Sequence, residues 1–249
     1  MADGAVEVAA AVVTVAIEAE VLMAAAVADD RAAARAVMVA GATGLVGREV
    51  LAALLADSSC IAVHALGRKA PGTRHPKLTA HVVDFARLPA KLPRVDEAYI
   101  TLGTTIKVAG SQAAFRAVDL DAVLAVAKAA RAAGATRLGV VTAMGADAYS
   151  RIFYNQIKGE AEDGLGALGF PSLVIARPSM ISGDRAALGQ PGRTGEHFAK
   201  PLMALFKPFI PANYRAVAAR DVALSLIEAV RQGQPGCRVL LSGALQRRA

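Results

Sequence analysis

A doubly wound α/β fold, a parallel sheet with helices on both faces, is what this sequence predicts, and three observations carry that prediction. An apolar run starting at Val37 breaks into three spaced glycines, Gly41, Gly44 and Gly47, and continues as an amphipathic segment. From Ala36 onward, short apolar runs alternate with longer segments of helical period, the pattern of repeated βαβ units. The chain has 249 residues, 55% of them hydrophobic and 4% aromatic, enough for one full core built largely of Ala and Val.

The elements follow in order. Residues 5–27 are Ala/Val-rich, with Glu7, Glu18 and Glu20 as their charges and no basic start, so they have the pattern of neither a signal nor a transit peptide. Residues 1–35 are therefore expected to be a dispensable extension, with Met23 a candidate initiator; a packing or dimer segment is the other reading. The domain proper is expected over 36–249. A strand leads into the glycine turn and a helix runs to Ala56. Strands are predicted at 61–66, 78–83 and 98–102, and a long helix at 113–133. A strand at 137–142, a helix at 154–168, a strand at 172–176, a helix at 222–230 and a last strand at 237–241 complete the alternation.

Composition excludes several partners. The net charge of +7 comes from scattered basic residues not interleaved with aromatics, which argues against nucleic acid. Mean hydropathy is +0.41, but the longest uncharged stretch of the domain, 164–176, is too short to span a bilayer and contains Pro171, so no membrane segment is expected. Cys60 and Cys237 show no metal spacing and point to free buried thiols in a reducing cytoplasm. His64, His75, His81 and His197 have no ligand spacing either, so no metal is expected. Nothing in the pattern specifies or forbids a homo-oligomer.

The glycine turn points to a dinucleotide. Gly41 lets the chain leave the strand, Gly44 lets the backbone approach a diphosphate, and Gly47 lets the helix pack close to the sheet, with the phosphates facing the positive end of the helix dipole. Gly41, Thr43, Gly44, Leu45, Val46 and Gly47 are the candidate contacts. No Asp or Glu occurs between Asp57 and Asp84, and Arg68 and Lys69 follow the second strand where an acid would bind the ribose of NAD. Those two cations suit a 2′-phosphate, so the expected cofactor is NADP. Asp84 stands after the third strand, either as an acceptor for the adenine amino group or as a turn residue.

Thr142, Tyr154 and Lys158 are the candidate catalytic set. Tyr154 and Lys158 lie four residues apart on a predicted helix and share a face, while Thr142 ends the preceding strand at the same sheet edge. An ammonium about 4 Å from a phenol contributes up to about 4 kcal/mol toward the phenolate at an effective dielectric of about 20. Tyr154 can then pass a proton to an alkoxide while a nicotinamide gives hydride. Thr142 would hold the substrate oxygen, and Lys158 would also hold the nicotinamide ribose. The substrate class is a small-molecule carbonyl or alcohol; the alternative is a cofactor-holding regulatory or interaction module without turnover.

Five motifs in series carry a family resemblance: Gly41-Ala-Thr-Gly-Leu-Val-Gly47, Thr101-Leu-Gly-Thr-Thr105, Val140-Val-Thr-Ala-Met-Gly-Ala-Asp147, Tyr154-Asn-Gln-Ile-Lys158 and Arg177-Pro-Ser-Met-Ile-Ser-Gly183. From Ala36 to the C-terminus the chain resembles the short-chain dehydrogenase/reductases, and within them the atypical branch related to the Tat-interacting-protein oxidoreductase-like proteins. The resemblance implies that Leu102, Gly103 and Thr104 line the adenosine side and that the backbone after Pro178 faces the nicotinamide. It also implies that residues 179–219, with Phe198, Met203, Phe206, Phe209 and Tyr214, cover the substrate, although ordinary packing explains those apolar residues equally well. Thr142 stands where the superfamily usually has Ser, and Asp119 where it often has Asn, a departure that falls on the usual proton relay.

Overall fold

The first strand, β1 (Arg35–Ala40), is buried almost along its whole length, and that burial makes it central. In the computed structural model, which describes residues 34–183 and 211–247, β1 pairs with β2 (Cys60–Gly67) on one side and β4 (Glu97–Ile100) on the other, Val39 lying opposite both Ala65 and Tyr99. With β3 (Leu78–Val82), β5 (Arg137–Val141), β6 (Ser172–Arg177) and β9 (Gly236–Leu241) they form a seven-stranded parallel sheet in the order β3-β2-β1-β4-β5-β6-β9. Strand order reverses between β1 and β4, the switch point where such sheets open a crevice at their carboxyl ends.

Helices cover both faces. On one, α1 (Leu45–Ala56) and α6 (Ala219–Arg231) bury Val50, Leu54, Leu226 and Val230 against Val37, Val39 and Val174. On the other, α4 (Ala122–Ala132) and α5 (Phe153–Gly166) bury Val126, Ala130 and Leu165 against Met38, Ile100 and Leu138. Gly139 in β5 fits under α6, where an added Cβ would stand 2.8 Å from Val230 Cγ2.

The predicted alternation is present, with differences at element ends and one inside an element. The expected long helix at 113–133 is divided: a short α2 (Ile106–Ala109) precedes α3 (Gln112–Arg116), a π-helical turn at Ala117–Asp121, and then α4. The wider turn buries both Asp119 and Leu120, and a one-residue offset of this kind leaves no trace in hydrophobic period. A two-residue pair, β7 (Ile181–Ser182) with β8 (Val217–Ala218), and a terminal turn of helix, α7 (Ser242–Leu245), are too short for periodicity to reveal. Cys60 is buried as expected, but Cys237 is exposed, because β9 ends the sheet. His64 lies in β2, and its Nδ1 is 3.1 Å from Nε2 of His81 in β3. His197, Phe198, Met203, Phe206 and Phe209 lie outside the described residues, as does nearly all of the expected extension; Tyr214 is 63% exposed. Among the described residues no helix is long and apolar enough to cross a membrane, and no group of three or more His, Cys, Asp or Glu could hold a metal.

Candidate functional site

The glycine turn closes on the carboxyl end of β4. Gly41 has φ +89°, a conformation L side chains rarely adopt, and an added Cβ would stand 2.8 Å from the Thr101 carbonyl carbon. A Cβ on Gly47 would lie 2.0 Å from Gly41 O, so only glycine lets α1 start this close to the turn. Thr101 secures the junction, its amide donating to Ala40 O at 2.9 Å and its hydroxyl to Ala40 O at 3.0 Å.

These residues fit a diphosphate. Helix α1 begins after Gly44, its N-cap, with no side-chain cap and no acidic residue in its first turn, so its first amides have neither an intrahelical partner nor a competing anion. A Cβ on Gly44 would meet only Gly41 O at 3.3 Å and Thr101 O at 4.0 Å, leaving its other side open. Thr43 is exposed there, Leu45 is half-buried, and Val46 turns into the core. Arg68 and Lys69 are exposed immediately beyond β2. Asp84 is exposed and its Oδ1 accepts from Ala86 N at 3.0 Å, so one oxygen serves a turn.

Helix α5 supplies the other half. Tyr154, Lys158 and Glu162 are spaced by four and share one face. The half-buried Tyr154 ring packs beside Phe115, centroids 5.4 Å apart. Lys158 is 4% exposed and its Nζ lies 2.7 Å from Asp119 Oδ1. Asp119, 1% exposed, also accepts the Thr104 amide at 2.9 Å through Oδ2, while Oδ1 has no partner besides the ammonium. Burial pushes the Asp119 carboxyl up, and the Lys158 ammonium and the Thr104 amide pull it back. A Cβ on Gly103 would stand 3.5 Å from Asp119 Oδ1 and 3.7 Å from Lys158 Nζ, so the Leu102-Gly103-Thr104 strip joins the glycine turn to the ion pair.

Thr142 directly follows β5, at the sheet edge where the sequence puts it. Its hydroxyl is buried and donates to Glu162 Oε1 at 2.6 Å; it makes no hydrogen bond to Tyr154 or Lys158. Glu162 in turn pairs with Arg177 at the end of β6, Nε lying 3.0 Å from each carboxylate oxygen and Nη2 completing the fork. Pro178 O accepts the Met144 amide at 3.0 Å, which brings the segment after β6 beside the one after β5. A search for catalytic triplets does not single out Glu162, although its spacing from Lys158 repeats that of Lys158 from Tyr154. Asp119 stands out in the sequence only as a departure from the usual Asn, and its partner cannot be read there. A hollow of about 240 Å³ between Leu45, Arg48 and Ser182 is lined by none of Thr142, Tyr154 and Lys158, so concavity alone does not locate the site.

Comparison with known proteins agrees with the fold. Residues 41–199 match the NAD(P)H-binding family. The Emericella nidulans protein fmp52, named as mitochondrial, is 36% identical over 154 residues, 58% of this chain and 66% of that protein. This chain thus spans just under two thirds of that fungal relative's length. Rat protein HTATIP2 is 29% identical over 217 residues, 85% of this chain and 88% of that protein. The Bordetella bronchiseptica enzyme WbmF in complex with NAD+ superposes with a TM-score of 0.61 at 16% identity, covering 86% of this chain and 77% of that one, a likeness of fold. The cytoplasmic setting expected from the sequence is corrected by the fungal relatives, several of which are named mitochondrial. Free thiols report redox conditions and not an address. The family match spans well over half of the residues, and the chain belongs to the NAD(P)H-binding family, with a Rossmann domain homologous to HTATIP2 and a fold like that of the short-chain dehydrogenase/reductases.

Proposed function

We propose that this protein is an NADP-dependent oxidoreductase that acts on a carbonyl/alcohol pair with Tyr154 as proton donor. The observation that carries the reading is the continuity from the uncapped glycine turn, along Leu102-Gly103-Thr104, to Lys158 and Tyr154 on one face of α5. When bound, the nicotinamide supplies the hydride. Gly41, Thr43, Gly44, Leu45, Val46 and Gly47 would hold the diphosphate, Arg68 and Lys69 would meet the 2′-phosphate, and Asp84 could accept from the adenine amino group. Lys158 would hold the ribose, the backbone after Pro178 would face the nicotinamide, and Tyr154 would give its proton to the alkoxide formed from the carbonyl. Thr142 already donates to Glu162, so toward substrate it presents lone pairs: it can accept from an alcohol, but engages a carbonyl only after its proton turns away from Glu162.

The same commitments favour a second reading, a dinucleotide-holding module without turnover, because both the Lys158 charge and the Thr142 proton are engaged within the protein. A broad panel of carbonyls and alcohols, followed through NADPH absorbance alongside direct cofactor titration, separates the two. The enzyme reading expects tight NADPH binding and oxidation of NADPH with at least one carbonyl class. Tight binding with no turnover across the panel overturns it in favour of the module.

A further inference from the structure

Three cations on α5 or on the elements beside it are each matched by a carboxylate. Lys158 is paired with Asp119 at 2.7 Å, Arg177 with Glu162 through a bidentate contact, and the more exposed Arg116 with Glu160 at 2.8 Å. The first of these pairs is nearly inaccessible to water, at 4% and 1% exposure, so solvent screens its field little. It also lies against the strip at Gly103, and Asp119 Oδ1 keeps an acceptor position that nothing but the ammonium uses. The two forms of a nicotinamide differ by one unit of charge: the oxidised ring is cationic and the reduced ring neutral. An unbalanced lysine beside the ring disfavours the oxidised form, whereas a balanced one does not discriminate.

We infer that Asp119 sets the redox-state selectivity of the dinucleotide site, cancelling the Lys158 charge so that the oxidised cofactor is held about as well as the reduced one. This rests on the reading of the site as NADP-binding and adds to it a residue that acts through Lys158. Asp119 is a positioning and charge-balancing residue. Its second oxygen, on the Thr104 amide, keeps the strip in register with the pair.

The test is the ratio of two dissociation constants, for NADP+ and NADPH, titrated on the full chain by calorimetry and by NADPH fluorescence. In the unaltered protein the two constants are expected within about threefold of each other. Asp119→Asn keeps an acceptor for the Thr104 amide but removes the anion, and is expected to move the ratio about tenfold toward NADPH. The double variant Asp119→Asn/Lys158→Met removes both charges and is expected to return the ratio to that of the unaltered protein, even if both constants weaken. Thermal melting checks that each variant folds. A ratio that stays within threefold in Asp119→Asn overturns the inference, and so does a shift toward NADP+. If Asp119→Asn does not fold, a preference of more than about tenfold for NADPH in the unaltered protein overturns it. Failure to bind either dinucleotide is a different result, which removes the NADP reading itself.

Discussion

The two ends of the sheet both bury charge, and they close it differently. At the amino ends of the strands, Glu97 is fully buried and receives Arg35 at 3.2 Å, Arg137 at 3.1 Å and the Tyr99 hydroxyl at 2.9 Å. Asp57 adds Arg35 at 2.6 Å, Arg231 at 3.2 Å and both the amide and hydroxyl of Ser59. Both oxygens of Glu97 and both of Asp57 have partners. At the carboxyl ends, Asp119 leaves Oδ1 to a single ammonium, Gly103 is exposed beside it, and the first turn of α1 has no side-chain cap. The contrast teaches what buried charge is for at each end. A closed network ties β1, β4 and β5 to their neighbours, whereas Asp119 leaves one carboxylate oxygen to the Lys158 ammonium alone, beside the uncapped start of α1.

The largest expected effect breaks the closed end. Glu97→Ala leaves Arg35 and Arg137 without their shared carboxylate, and removal of one partner from a buried ion pair costs about 3–5 kcal/mol. The urea midpoint is expected to fall accordingly, while whatever fraction stays folded binds NADPH as before. Loss of affinity without loss of stability would erase the distinction between the ends.

At the open end the effects are expected to fall on function. Tyr154→Phe removes one hydroxyl from a half-buried ring that keeps its packing on Phe115, so the melting temperature and NADPH affinity are expected to hold while carbonyl reduction drops about 10²-fold or more. Lys158→Ala differs in kind, since it leaves the Asp119 carboxylate without its ammonium and would remove the proposed ribose contact. Affinity, turnover and stability are expected to decline together. Wild-type turnover by Tyr154→Phe would show that the proton comes from elsewhere.

A smaller effect sharpens the cofactor assignment. Arg68 and Lys69 are exposed, so Arg68→Ala is expected to leave stability unchanged and to remove most of the NADPH-over-NADH preference, roughly tenfold, in parallel titrations. Equal affinity for both cofactors before mutation sinks the NADP assignment.

The smallest effect returns to the closed end through pH. Against the cost of burial, hydrogen bonds from Arg35 and Ser59 hold the Asp57 carboxyl down at about 2, from an ordinary value of 3.8. A depressed folded value means that this stabilisation is complete above the unfolded value and is lost as pH falls through the folded one. Stability is therefore expected to decline between about pH 4 and pH 2, with Asp57→Asn flattening that slope in acid titrations followed by circular dichroism. An unchanged slope in the variant assigns the acid response to other carboxylates.

The parallel alternation, the place of the dinucleotide turn and the shared face of Tyr154 and Lys158 are legible in the order of residues, because each depends on spacing within one segment. Gly41 and Gly47 are required by a turn closed within seven residues, and Tyr154 with Lys158 by one turn of α5. What those groups are paired with depends on the folded chain. Asp119 reaches Lys158 from a π turn 39 positions earlier, and Glu162 takes the Thr142 proton from another element while Arg177 holds it from a third. Likewise Glu97 and Arg35, 62 residues apart, read as ordinary charged residues until β1 and β4 lie side by side. Local period is set by backbone geometry and is written in the order of residues. Charge partners are set by which elements the hydrophobic core brings together, and that depends on the whole chain at once.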